Sequence, residues 1–402
     1  MTIAVAAAMM GCAQNVDSPV EITLAPVYGT DDRQEYFQVV GAEQRSRMLG
    51  STVALIAKVV IGSNGSRIAE QVPSLGETVG LCAGEPFADQ PAAAFCSGVL
   101  VDWDLVLTAG HCVRLFALQD FAVVFNYDYV APGKLDVADD DIVDVVDIVD
   151  EALDPEGTEP RLDYAWLRLV RPVVPPRQPA PLYVGGPSPL KLNDPILSIG
   201  AAGGIPMKFD AGGKVRDLRE SWSDYFIADA DVFHGSSGGG AFDLQLSLVG
   251  IMARGGIDTV VTQNGCSVIR REPDGLAAQE QFTYVHRAAE GLCRRGTSVS
   301  SICRADCGRP CQALPLPAFV ASGGCTFAVA KRGSTSATGH ALLFTLLLAG
   351  LRARCSSIGS LWGEQVSLRR LRSRLGFPSL PAVSHTPRVS MTRPKTGPVG
   401  LS

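Results

Sequence analysis

Three short stretches of this chain hold residues able to do nucleophilic chemistry. In the first, an apolar, β-rich run ends at His111 and is bracketed by Cys96 and Cys112. An imidazole titrates near neutrality, so it can take a proton from a hydroxyl and return it to a leaving group. In the second, Asp163 heads the apolar run Tyr164-Ala-Trp-Leu-Arg-Leu169. In the third, Ser237 stands in the glycine-dense turn Phe233-His-Gly-Ser-Ser-Gly-Gly-Gly240. A serine hydroxyl is a poor nucleophile unless a base removes its proton. Asp163 would hold His111 in the right tautomer, and the backbone N–H groups of Gly235 and Ser237 would receive a developing oxyanion. Glycine at 235 keeps that turn uncrowded. Singly, each residue has an ordinary explanation as a hydrogen-bonded strand end, a turn or a flexible loop. Their joint occurrence in one order points to catalysis.

That order, with Thr-Ala-Gly-His-Cys around His111, is the one found in chymotrypsin-type enzymes and not in subtilisins or α/β-hydrolases. The chain resembles trypsin-like serine proteases, in particular the bacterial branch that includes glutamyl endopeptidases. Besides the three blocks, the resemblance rests on Val27-Tyr-Gly-Thr-Asp-Asp-Arg33, Gly204-Ile-Pro-Met-Lys208, Tyr225-Phe-Ile-Ala-Asp-Ala-Asp231 and Leu248-Val-Gly-Ile251, and it covers about residues 26–292. It implies an all-β fold of two antiparallel barrels with a short C-terminal helix. It also implies a secreted or surface endopeptidase that cleaves proteins or peptides through an acyl-enzyme, without a cofactor. The alternative is a catalytically silent homologue that binds proteins. Two departures stand out. Ser236 occupies the place where animal trypsins carry an aspartate for the new N-terminus, so that salt bridge cannot form. Gly240 replaces the usual proline.

The resemblance also locates a specificity pocket at Asp231, Met252 and Arg254. Asp231 lies six residues before Ser237, where trypsin-like enzymes place the acid that pairs with arginine or lysine. Met252 stands where glutamyl endopeptidases have a histidine, which argues against acidic substrates, while Arg254 would restore some preference for them. The preferred side chain is left open.

Composition narrows the setting. The chain has 402 residues and a net charge of −6, which argues against nucleic acid as a partner. Short Val, Ile and Leu runs recur between turn residues, the pattern of an all-β protein. Eleven cysteines are many for a cytosolic enzyme and fit an exported one. The preferred disulfide is Cys96–Cys112. Cys82, Cys266 and Cys293 would pair among themselves or with later cysteines.

Along the chain, residues 1–25 read as a leader and linker, with a small-residue stretch before Cys12 that loosely resembles a lipoprotein acylation site. The barrels are expected at about 27–170 and 196–290, with a Gly, Ser and Pro-rich insertion near 62–94 in the first. The acidic run Asp139-Asp-Asp141, Asp144, Asp147, Asp150 reads as a solvated strand edge, with calcium at Asp139–Asp141 the weaker alternative. Val285–Cys293 reads as the closing helix, with His286 structural. Residues 293–325 are cysteine-rich, Cys303, Cys307 and Cys311 favouring disulfides over zinc. No metal is assigned. Residues 326–355 include the apolar run Ala341–Leu351 followed by Arg352 and Arg354. With Gly324-Cys325 before it, this arrangement resembles the C-terminal sorting tags of myxobacterial surface proteins and would attach the protein to a membrane or cell surface. The run is about half of the ~20 residues a span requires. Residues 356–402 form a basic tail expected to be disordered.

Overall fold

The apolar runs are apolar on both faces, and this decides how they pack. In β1 (Thr52–Ala57), Val53 and Leu55 enter one buried cluster while Ala54 and Ile56 enter another. Alternate side chains of a strand point to opposite faces, so a strand buried on both sides must serve two cores. The same division runs through β2 (Ala94–Asp102), where Leu100 lies in the first cluster and Val99 and Val101 in the second. The chain is seen here as a computed structural model that describes residues 27–61, 68, 72–184, 189–273, 278–296 and 300–303. All of them belong to one unit, Met1–Gly323.

β1 and β2 are joined by β3 (Leu105–Thr108), β4 (Phe121–Val124), β5 (Ile142–Leu153) and β6 (Asp163–Leu169). These strands close an antiparallel barrel in the order β1-β2-β3-β6-β5-β4, with β4 pairing back on β1. The second half is a seven-stranded sheet of β7 (Leu197–Gly200), β8 (Lys208–Asp210), β9 (Val215–Asp217), β10 (Tyr225–Ala228), β11 (Gly240–Phe242), β12 (Leu248–Arg254) and β13 (Glu280–Tyr284). Its order is β8-β7-β11-β12-β13-β10-β9. It curls back on itself: β9 bonds the residues that lead into β7, through Asn193 N–H to the Val215 carbonyl at 2.8 Å and Val215 N–H to the Asp194 carbonyl at 3.0 Å. The fold is thus all-β and barrel-like, as expected of the trypsin type.

Three α-helices occur among the described residues: α1 (Ala42–Ser51), α2 (Leu75–Val79) and α3 (Val285–Arg294). The closing helix α3 lies where its sequence pattern predicts it. Trp166 of β6 donates its indole N–H to the Ala288 carbonyl of α3 at 3.0 Å. One cluster spans both halves and the helix, holding Leu107 and Trp166 beside Ile199, Phe242 and Leu248, with Val285 and Leu292 from α3. The helices α1 and α2 were not legible as such. In the 62–94 insertion, Ser74 accepts from Glu77 N–H at 3.2 Å while Glu77 accepts from Ser74 N–H at 2.9 Å, a capping box that starts α2.

The acidic run is not a strand edge. β5 is paired on both sides within the closed barrel, and its acids divide by face. Asp144 and Asp147 are exposed, whereas Asp150 is buried and accepts from Tyr164 Oη at 2.9 Å and Arg295 Nε at 3.1 Å. Asp141 is buried too, against Arg177 and the Asn126 amide. Two register shifts in the β5–β6 ladder carry Asp150 to the inner side. Three disulfides join Cys96 to Cys112, Cys82 to Cys266 and Cys293 to Cys303. The last ties Ser300–Cys303 to α3, and Ser300 and Ser301 bond the Asp102 carboxylate at 2.8 and 3.1 Å. The leader, the Cys307–Cys311 part of the cluster, the apolar run and the basic tail lie outside the described residues.

His286, on α3, is buried beside Tyr284. Burial, helped by the Arg287 charge, lowers its pKa from the usual 6.5 to about 4. Between those values the unfolded chain binds a proton that the folded chain refuses, so stability is full above pH ~6.5 and falls as pH drops toward 4. The loss is on the order of 3 kcal/mol. Urea titrations at stepped pH should show this slope in the wild type and a flatter one in His286→Phe.

Candidate active site

His111 sits in a single turn of 3-10 helix, Gly110–Arg114, directly after β3. Cys112 in that turn is bonded to Cys96 of β2, so the turn cannot swing away from the barrel. Asp163 is the first residue of β6 and is buried. Its Oδ1 accepts from the His111 N–H at 3.1 Å and its Oδ2 faces His111 Nδ1 at 2.9 Å. An ionised carboxylate only accepts, so Nδ1 carries the hydrogen and Nε2 is left as the basic nitrogen.

Ser237 lies in a turn that its composition suggests is loose and its bonding makes firm. The Ser237 carbonyl accepts from Ser97 N–H at 2.7 Å, Gly238 N–H bonds the Met252 carbonyl at 2.7 Å, and Met252 N–H bonds the Gly239 carbonyl at 2.8 Å. β2 and β12 therefore clamp the turn from both sides. The Ser237 hydroxyl has no hydrogen-bond partner among the described residues, and neither have the N–H groups of Gly235 and Ser237. The His234 carbonyl accepts from Gly203 N–H at 2.5 Å. In a planar trans peptide the N–H points opposite to the carbonyl, so the Gly235 N–H faces away from Gly203. Gly235 holds φ at +91°, and a Cβ there would lie 2.5 Å from the Ala201 carbonyl oxygen. Both the backbone angle and the space require glycine.

A cavity of about 420 Å³ brings these groups together. His111, Asp163 and Ser237 line it, with Met252, Arg254 and Glu280. Residues 96–251 match the family description of the trypsin-like peptidase domain. The chain carries a trypsin-like serine peptidase domain. No curated protein matches it in sequence. Among solved structures it is similar to the VesB protease of Vibrio cholerae, at 16% identity over 62% of this chain and 65% of that one, with a TM-score of 0.37. It is similar also to a Glu endopeptidase in complex with MPD, at 13% identity over 68% of this chain and 99% of that one, TM-score 0.39. An inactive form of Rv3671c from M. tuberculosis H37Rv shares 18% identity over 50% of this chain and 80% of its own, TM-score 0.31.

The residues expected to form the specificity pocket of this peptidase domain fare differently. Met252 and Arg254 line the cavity. The Arg254 guanidinium is spoken for: Nε bonds Gln281 Oε1 at 2.8 Å, Nη2 the Arg161 carbonyl at 3.1 Å, and Nη1 approaches Asp163 Oδ2 at 3.5 Å. Asp231 does not line the cavity at all. Its two oxygens accept the N–H groups of Tyr28 and Asp32, both at 2.9 Å, and so hold the segment that begins at Val27. Burial and the nearby Asp210 carboxylate push Asp231 up to about 8. Its carboxylate was expected to face a substrate because its offset from Ser237 is right; the offset alone does not fix which way the side chain turns.

Sequence reasoning missed three cavity residues. His234 and Asp258 pair at the rim, Nδ1 to Oδ2 at 2.5 Å, which raises the His234 pKa. Glu280 opens β13 on the face that also carries Phe282 and Tyr284, both buried. A carboxylate in step with two core aromatics was the available signal.

Gly235→Ala should displace the turn that bears Ser237, lower thermal stability, and cut kcat on a peptide substrate by about 10²–10³. Steady-state kinetics, with thermal melts followed by circular dichroism, checks it.

Proposed function

We propose that this peptidase domain is an exported endopeptidase that cleaves peptide bonds through Ser237, His111 and Asp163. The observation that carries the reading is the 2.9 Å contact of His111 Nδ1 with the buried Asp163 carboxylate on the wall of the cavity that Ser237 also lines. Ser237 Oγ attacks the scissile carbonyl carbon as His111 Nε2 takes its proton. The oxyanion of the tetrahedral intermediate is received by Gly235 and Ser237 N–H, each such donor being worth about 3–4 kcal/mol in the transition state. Collapse breaks the C–N bond, the imidazolium gives its proton to the leaving amine, and an ester joins Ser237 to the acyl half. Water then repeats the sequence: His111 takes a proton from it, the hydroxide adds to the ester carbon, and the proton returns to Ser237 Oγ as the acid leaves. Asp163 stabilises the imidazolium at both stages.

Export is supported by the three disulfides, which persist in oxidising compartments. Among the described residues no helix is long and apolar enough to cross a membrane.

A fluorophosphonate probe should label the full-length protein at Ser237, and both labelling and peptide hydrolysis should vanish in Ser237→Ala. Peptide mapping of the labelled protein checks the site. A folded protein that neither takes the label nor cleaves a peptide library would instead be a binding module built on a protease fold.

A further inference from the structure

The cavity's charges can be paired off, and one is left over. Arg254 is matched by Asp163, and His234 by Asp258. Glu280 is not matched. It is 1% exposed, yet it lines the cavity. Its Oε1 accepts Tyr28 Oη–H at 3.3 Å and Gly256 N–H at 3.2 Å. Its Oε2 has no hydrogen-bond partner among the described residues. That oxygen lies against Gly255, where a Cβ would come within 2.0 Å of it, so only the missing side chain at 255 keeps it accessible. Val232 and Met252 line the same cavity and supply apolar walls on the way to it.

We propose that Glu280 is the residue that selects a cationic side chain, lysine or arginine, on the substrate residue whose carbonyl Ser237 attacks. The inference rests on the reading of Ser237 as nucleophile, and it names the substrate class of that site. The shape suits such a group: an apolar wall takes the methylene stem, the glycine strip at 255–256 leaves a passage, and a single carboxyl oxygen waits at the end. An acidic side chain would find no cation to answer it there, because His234 and Arg254 already have carboxylate partners. A neutral side chain would leave the buried carboxylate without the ion that offsets its desolvation. Burial, with Asp258 and Asp231 nearby, already pushes the Glu280 carboxyl well above the usual carboxylate range, so an arriving cation finds a group that gains from it. Asp231, the acid that the sequence pattern nominates, is turned to the Val27–Asp32 segment and plays no part in selection.

The test compares two peptide substrates that differ only by arginine or citrulline at that residue, a pair matched in shape and unmatched in charge. The wild-type full chain should favour arginine in kcat/KM by about 10²-fold, and Glu280→Gln should lose most of that preference while still cleaving the citrulline peptide. A wild-type preference for citrulline or glutamate, or an unchanged preference in Glu280→Gln, overturns the inference. A second readout needs no catalysis. Ser237→Ala should bind the fluorescent cation p-aminobenzamidine, and the double variant with Glu280→Gln should bind it at least tenfold more weakly (roughly the loss of one charge-assisted hydrogen bond). If the amidine binds in this Glu280-dependent way and no peptide is cleaved, the proposed function fails and the pocket assignment stands. If peptides are cleaved without regard to charge, the reverse holds. Should Glu280→Gln fail to fold, Gly255→Ala keeps Glu280 but crowds its open oxygen. That variant should lose the arginine preference, and retaining it counts against the proposal.

Discussion

The buried carboxylate of Asp163 is where the two halves of the molecule meet, and the site depends on how it is satisfied. A carboxylate out of water is tolerated only where donors replace the lost hydration. Asp163 receives two bonds from His111 in its own barrel and the approach of the Arg254 guanidinium from the second sheet. Its backbone carbonyl accepts Thr283 Oγ1–H at 3.0 Å, from β13 of that same second sheet. Removing the second half would therefore do more than open the cavity: it would take the Arg254 guanidinium from the Asp163 carboxylate and the Thr283 hydroxyl from its backbone carbonyl. The cleft is a consequence of this bonding as much as of hydrophobic packing. The apolar cluster that spans both halves brings the sheets together, and Asp163 bonds to residues of each.

β2 performs a related task with two adjacent residues. Cys96 and Ser97 point to opposite faces, as neighbours on a strand must. Cys96 reaches the turn that bears His111, through its disulfide with Cys112. Ser97 reaches the turn that bears Ser237: its N–H bonds the Ser237 carbonyl at 2.7 Å, and its Oγ–H bonds the Gly235 carbonyl at 2.7 Å. A single strand thus references both the base and the nucleophile to one backbone. Loop entropy would otherwise blur a spacing that proton transfer requires to within tenths of an ångström.

How much of this could be read from the sequence depended on whether a signal was local. His111, Asp163 and Ser237 stand in stretches of unusual local composition, so residues far apart in sequence could be nominated together. The strand-rich fold followed from short apolar runs, and α3 from its own periodicity. What stayed hidden was long-range and orientational. Cys82 and Cys266 are 184 residues apart, and spacing says nothing about their union. Asp150 repeats the three-residue spacing of Asp144 and Asp147, yet register shifts bury it while they stay in water. Asp231 does not line the cavity where a linear reading places it, and Glu280, which does, carries no local signature of a site. A carboxylate's role is set by which N–H groups claim its oxygens, and for Asp231 those belong to Tyr28 and Asp32, some two hundred residues earlier.

The bonding of Asp231 also bears on the departure at Ser236. In animal trypsins an aspartate at that place answers a new N-terminus, whereas Ser236 is buried and its hydroxyl makes only a long contact, 3.4 Å, with Phe233 N–H. Here the early segment is held by main-chain donors: Tyr28 and Asp32 N–H go to Asp231, Val27 and Tyr28 pair in parallel with Arg271 and Glu272, and the Tyr28 hydroxyl reaches Glu280. Amide donors are present whether or not a chain end lies nearby, so this anchorage needs no free ammonium group. It also runs from the early segment straight to the floor of the cavity, since Tyr28 touches Asp231 with its backbone and Glu280 with its side chain. Tyr28 thereby joins the Val27–Asp32 segment to the cavity wall, and the aspartate that holds this segment stands five residues before Ser236.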